Sequence, residues 1–300
     1  MTCPKVLEDA IEGLYFAFSE YPLPEDTMPC GCCHSPDANE LLHAEPLRKL
    51  EWKHFGQYPN QALLVWGDLN CFKHFLPRIF DLLLNVSDWD IEAPDPEWVF
   101  KKLDDGEWRT WPREEQAAVK KMLQAVWETV LSNPPIESPY IDVEQWLCSI
   151  ALCEEDIGPY LAQWMEDQRI SASWALSFLI LGSDIAYVDY NVDNKVPVFR
   201  EDDGRSKTAK VQEWFVLPHP NAWWKYCSTQ YVQLLEWVRS SAVLEKLRQA
   251  EIGCGNSEME REFTTAQRCI REAKSTKFET AYERRLFQTA YIDIPFGRLY

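Results

Sequence analysis

Apolar residues recur along this chain at the three- and four-residue spacing of amphipathic helices. Leu7, Ile11, Leu14 and Phe18 form one stripe, with Val6 and Tyr15 beside it, which predicts a helix over 6–18. It ends near Ser19, because Tyr21-Pro-Leu-Pro24 removes amide donors and biases the preceding residues to extended backbone. Phe72, Phe75, Leu76, Ile79, Phe80 and Leu83 repeat in the same way around Pro77, so a helix kinked at that proline is expected over 70–84. A short helix follows at 97–104, after the turn Ala93-Pro-Asp-Pro96. The clearest pattern has Thr110 as cap and Pro112 in the first turn, then Val119, Met122, Leu123, Val126, Trp127, Val130 and Leu131, and stops at Asn133-Pro-Pro135. Further helices are expected at 142–152 and 155–167, the second opening on Glu154-Glu155-Asp156, and at 174–181, 221–249 and 257–290.

One stretch departs from this period. Ile185-Ala-Tyr-Val-Asp-Tyr190, Val196-Pro-Val-Phe199 and Val211-Gln-Glu-Trp-Phe-Val216 are β-prone runs separated by Asp-Asn and Asp-Asp-Gly turns. The expected fold is therefore mainly α, an irregular stack of antiparallel helix pairs with a small antiparallel β insertion at about 185–217. Leu76-Pro-Arg-Ile-Phe-Asp-Leu-Leu-Leu-Asn85 resembles the first helix of a HEAT-type repeat, but no second copy recurs at a fixed period. The β-prone stretch divides a helical region 1–184 from a region 185–300, unless 1–300 forms one continuous domain.

Composition adds an aromatic core and a strong negative charge. The chain has 14 Trp, 12 Tyr and 14 Phe and only 11 Gly in 300 residues, which fits packed helices better than sheets. Trp127, Trp146, Trp164 and Trp237 fall on apolar helical faces, so core packing outweighs a ligand-stacking role for Trp223, Trp224, Tyr226 and Tyr231. The formal net charge is −18. Acids exceed bases by 20 to 9 in residues 1–110 and by 14 to 6 in 111–200, whereas 201–300 is balanced at 14 to 15. Such a surface repels phosphate backbones and anionic lipid and attracts a basic protein, so nucleic-acid and membrane partners are not expected. No apolar run approaches a bilayer span, and the start Met-Thr-Cys-Pro-Lys-Val-Leu-Glu-Asp lacks the layout of a secretion signal. A cytoplasmic setting is expected, with the scattered cysteines at 3, 71, 148, 153, 227, 254 and 269 reduced.

Chemistry concentrates in Cys30-Gly-Cys-Cys-His34. Cys30-x-x-Cys33 has zinc-knuckle spacing, with Gly31 allowing the tight turn; Cys32 and His34 compete for the same role. A closed tetrahedral site needs a second pair. Cys71-x-x-His74 provides it on one helical face, with His43 and His54 as runners-up. The expected metal set is thus Cys30, Cys33, Cys71 and His74 around a structural zinc. An activated cysteine served by His34 or His74 and oriented by Asp68 is disfavoured, since neighbouring thiols share a metal or oxidise together more readily than one of them becomes a nucleophile. Asp184, Asp189, Asp193, Asp202 and Asp203 match no cation-binding loop and read as turn residues. Phosphate-loop, dinucleotide, nucleophile-elbow and zinc-protease motifs do not occur in the sequence.

Tyr21-Pro-Leu-Pro24, then Cys30 and Cys33, Trp66-Gly-Asp68 and Phe72-Lys-His-Phe-Leu-Pro-Arg78 together resemble a group of uncharacterised bacterial proteins of similar length, over roughly the first 130 residues. The resemblance implies a bacterial source and a cytoplasmic setting and brings no activity, cofactor or partner with it. The residues by themselves favour a non-enzymatic, acidic, helical protein that binds another protein, as an adaptor or immunity-like molecule. The alternatives are a zinc-dependent enzyme built on Cys33, His74 and nearby acids, and a thiol redox sensor.

Overall fold

The computed structural model describes residues 5–25, 38–84, 93–133, 142–181, 189–191, 196–198 and 222–275. The protein is mainly helical. In chain order the described helices are α1 (Lys5–Ala17), α2 (Ala38–Leu42), α3 (Trp52–Phe55), α4 (Tyr58–Gln61), α5 (Leu69–Leu84), α6 (Pro96–Asp105), α7 (Arg113–Ser132), α8 (Val143–Cys153), α9 (Gly158–Glu166), α10 (Ile170–Leu181), α11 (Ser228–Val238), α12 (Ser241–Gly253) and α13 (Ser257–Ser275). Between α10 and α11, β1 (Asp189–Asn191) and β2 (Val196–Val198) pair antiparallel with Tyr190 opposite Pro197. The third β-prone run, 211–216, and the expected division at 184/185 lie outside the described residues.

The chain forms two compact units, one of Met1–Asn133 with Gln145–Tyr160, the other of Pro134–Glu144 with Leu161–Tyr300. In the first unit α1 packs along α7 and against α5, α2 packs on α3, and α4 on α6. Its core is a run of edge-on aromatic contacts, among them Phe55 on Phe75 at 5.7 Å, Tyr58 on Trp66 at 5.4 Å, Phe80 on Phe100 at 5.3 Å and Phe100 on Trp146 at 5.9 Å. In the second unit α10, α12 and α13 pack pairwise. Three fully buried indoles place their N–H groups on backbone carbonyls: Trp108 donates to Cys153 O at 2.8 Å, Trp127 to Tyr160 O at 2.9 Å and Trp164 to Ala172 O at 2.7 Å. These bonds let the three rings be buried without the desolvation cost of an unpaired donor.

Several boundaries differ from expectation for local reasons. Thr110 does not cap α7; its hydroxyl donates to Glu107 O at 2.8 Å, closing a 3-10 turn at Trp108–Thr110, and Pro112 is the residue preceding the helix. Glu154–Asp156 precede α9, where an Asp156 carboxylate oxygen accepts from the Gly158 amide at 2.8 Å. The span expected as one helix over 221–249 is a 3-10 turn at Ala222–Tyr226 followed by α11 and α12, divided where the Ser240 hydroxyl accepts from the Val243 amide at 3.2 Å. That N-cap satisfies a donor that a continuous helix would have bonded to its own backbone.

Candidate functional site

Helix α5 carries the described half of the expected zinc set. Asp68 caps it, a carboxylate oxygen accepting from the Cys71 amide at 2.9 Å, so this acid serves the helix rather than a nucleophile. Cys71 is 2% exposed, with its sulfur 3.2 Å from the Tyr58 hydroxyl. Burial pushes the thiol up to about 11; the Tyr58 bond opposes this and the Asp68 charge adds to it. Gly67 makes this packing possible, since it has φ +73° and an added Cβ would stand 2.7 Å from the Cys71 sulfur. To ligate zinc this sulfur would have to give up its contact with the Tyr58 hydroxyl and its proton.

One turn further on, His74 donates from Nδ1 to Tyr21 O at 2.8 Å. Burial lowers its pKa, the nearby His43 lowers it further, and the Tyr21 bond opposes them. With Nδ1–H committed to a carbonyl, Nε2 carries the lone pair, the tautomer that metal-bound histidines use. The runners-up are engaged elsewhere. Both ring nitrogens of His43 lie 2.7 Å from backbone carbonyls, of Asn39 and of Pro24, and His54 Nδ1 accepts from the Glu51 amide at 2.8 Å. Cys30, Cys33, Cys32 and His34 lie outside the described residues, as do Asp184, Asp193, Asp202 and Asp203. Among the described residues no three His, Cys, Asp or Glu side chains converge as a metal site would require.

Between the two expected ligands sits a residue that the sequence reading passed over. Lys73 is 4% exposed, and its ammonium lies 2.7 Å from Glu115, which is itself 5% exposed. Lys73 also donates to the Tyr21 hydroxyl at 2.9 Å, and that hydroxyl donates to the second Glu115 oxygen at 2.6 Å. The rings of Trp111 and Tyr21 cover the ammonium, with centroids 4.5 Å and 4.9 Å away. The cluster is a closed triangle of donors and acceptors walled by aromatics, in which burial first and the Glu115 bond second raise the tyrosine's pKa. Its signal was present in the sequence: Lys73 falls three residues before Leu76 on the apolar face of α5, and Glu115 four before Val119 on that of α7.

Two surface features belong to neither cluster. In the second unit a groove of about 500 Å³ is lined by Met165, Gln168, Ile170, Lys246, Gln249 and Ala250 among others. In it Lys246 donates to the carbonyls of Met165, at 3.3 Å, and Asp167, just past the C-terminus of α9. In the first unit the turn between α4 and α5 leaves Leu64 63% and Val65 50% exposed. Of the aromatic group near 223–231, Trp224 and Tyr231 are each 2% exposed, with rings 5.2 Å apart, whereas Tyr226 is exposed beneath Lys225. No described helix is long and apolar enough to cross a membrane. No protein-family model, curated protein or solved structure matches the chain.

Proposed function

We propose that this chain is a non-enzymatic, acidic, helical protein-binding protein, an adaptor or immunity-like molecule that engages a basic partner. The observation that carries the reading is the closure of the Lys73–Glu115 pair, whose side chains are only 6% and 7% exposed. The convergent acid, base and phenol in the first unit face one another, and the acid and base are shut away from solvent where a substrate would have to reach them. Acids such as Glu8, Asp9, Glu20, Asp105 and Glu107 lie exposed instead, in the part of the chain where acids outnumber bases 20 to 9. Such a surface speeds encounter with a positively charged protein and discriminates against acidic ones. The test is to isolate the chain from its host with whatever co-purifies and to rebuild the complex from purified components. A basic partner bound at fixed stoichiometry, more weakly as salt rises, is the expected result. Turnover of a small molecule by the chain alone would overturn the reading.

His74 favours a second, compatible reading, a structural zinc near the start of the chain. The donor chemistry fits His74 through Nε2 with the thiolates of Cys30 and Cys33, and Cys71 would complete the set by exchanging its Tyr58 contact for the metal. If so, zinc content measured on the purified chain falls in Cys30→Ser/Cys33→Ser and in His74→Ala, and the result for Cys71→Ala decides whether that thiol is the fourth ligand.

A further inference from the structure

The turn between α4 and α5 breaks the usual rules of loop chemistry in two ways at once. Tight turns favour Gly, Asn or Asp where φ is positive, yet this one places Leu63 at φ +66°. Its next two residues are aliphatic and exposed, Leu64 at 63% and Val65 at 50%. Its base is nevertheless rigid. Ala62 and Trp66 form a bridge, both are buried, and Trp66 packs edge-on against Tyr58 at 5.4 Å. Leu63 itself is seated over Gly106, where an added Cβ would stand 3.2 Å from the leucine's Cδ1. The residue after that glycine, Glu107, is the other non-glycine residue of positive φ among those described, at +52°. Two left-handed turns thus brace each other, and the leucine-valine tip they hold projects into water. Left-handed backbone at a leucine is costly, and exposing adjacent aliphatics gains nothing for a chain that needs only to fold. Rigid apolar side chains raised above a polar surface are the form that binding anchors take, because little side-chain freedom is lost on docking.

We propose that the Leu64–Val65 tip is the anchor by which the chain docks its partner, and that the partner is a basic protein offering an apolar pocket rimmed by Lys or Arg. This rests on the protein-binding reading above and names its surface. Charge selects the occupant. Asp68, two residues past Trp66, and Glu107, beside the seat of Leu63, are both exposed acids flanking the tip. Asp105, also exposed, is partly offset by Lys101 at 2.6 Å and Lys102 at 3.2 Å. A second copy of this chain would bring like charges together around the tip, so self-association through it is disfavoured.

The test uses the full chain and a defined probe, a synthetic amphipathic helix with leucines on one face and lysines on the other, titrated at low salt. Leu64→Ser/Val65→Ser should bind the peptide at least about tenfold more weakly than the parent, with the thermal midpoint unchanged because both side chains already face water. Glu107→Lys should also weaken binding and flatten its salt dependence. Phe16→Ser removes another exposed apolar side chain, 85% exposed on α1, and should bind like the parent. A photo-reactive phenylalanine at position 64 should cross-link to the leucine face of the peptide. If the parent binds but the double variant binds equally well, the tip is not the anchor, while the protein-binding reading stands. If the parent fails to bind the peptide at all, or forms a dimer that the double variant loses, the basic-partner chemistry fails, and with it this inference.

Discussion

The two units differ in where they put charge. Every charged residue buried among those described, Lys73, Glu97, Lys102 and Glu115, belongs to the first unit, whereas the buried polar residues described in the second are Ser173, Ser177 and Gln267. In the second unit Lys246 lies at the edge. Lys246 is half-buried, caps the carbonyls of Met165 and Asp167, and faces an open groove. The difference shows two ways to accommodate a positive charge in a helical fold. One closes a cation inside with a matching anion and aromatic faces; the other lays its stem along the surface and gives its head to a helix terminus. The first demands complete pairing and the second tolerates loss.

The largest effect should come from opening the closed pair. Glu115→Leu leaves Lys73 buried without its anion and should cost about 3–5 kcal/mol in urea unfolding. Adding Lys73→Met to that variant should restore most of the loss, since an apolar pair of similar volume needs no partner. If Glu115→Leu alone costs less than about 1 kcal/mol, the pair is not sealed and the contrast between the units collapses.

Next in size is the buried thiol. The Cys71 pKa is raised from 9.0 to about 11, so the folded state holds this proton more tightly than the unfolded state does. Its contribution is complete below pH 9 and is lost as pH rises through about 11. Unfolding free energies from denaturant titrations taken from below pH 9 to above pH 11 should fall for the parent by about 2–3 kcal/mol more than for Cys71→Val. An equal fall in both would mean that the thiol is ordinary.

Lys246→Met samples the open arrangement in the second unit. It removes charged donors from two carbonyls that water can reach, so about 1–1.5 kcal/mol should be lost in thermal unfolding. A loss as large as that of Glu115→Leu would put both units in the same class.

The smallest effect is a gain. A Cβ at Gly13 of α1 would meet nothing within 4 Å, so Gly13→Ala should stabilise the first unit by about 0.5–1 kcal/mol. A loss of stability there would mean that the notch is filled.

Much of this was legible in the sequence, and the limits follow particular residues. The stripe of Leu7, Ile11, Leu14 and Phe18 marks α1 because helical period alone decides which side chains share a face. The break between α11 and α12 was missed, because Ser240 caps by hydrogen-bonding three residues ahead inside a pattern that otherwise reads as continuous. Cys71 and His74 stand three apart on α5 as their spacing implies. Spacing is silent on protonation, which burial governs for both the thiol and the imidazole, with the Tyr58 and Tyr21 bonds opposing it. Lys73 and Glu115 were visible one at a time as charges on apolar faces. That they pair could not be read, because the two lie 42 positions apart on helices that only packing brings together.

By itself, then, the sequence determined the helical class, the aromatic interior and the acid-rich surface, since each follows from local period, composition or charge count. The tertiary structure alone decided which charges are sealed, which thiol is held protonated and which turn raises its aliphatic residues into water. Those outcomes depend on distance and burial between segments remote in sequence, where desolvation and pairing energies outweigh any local preference.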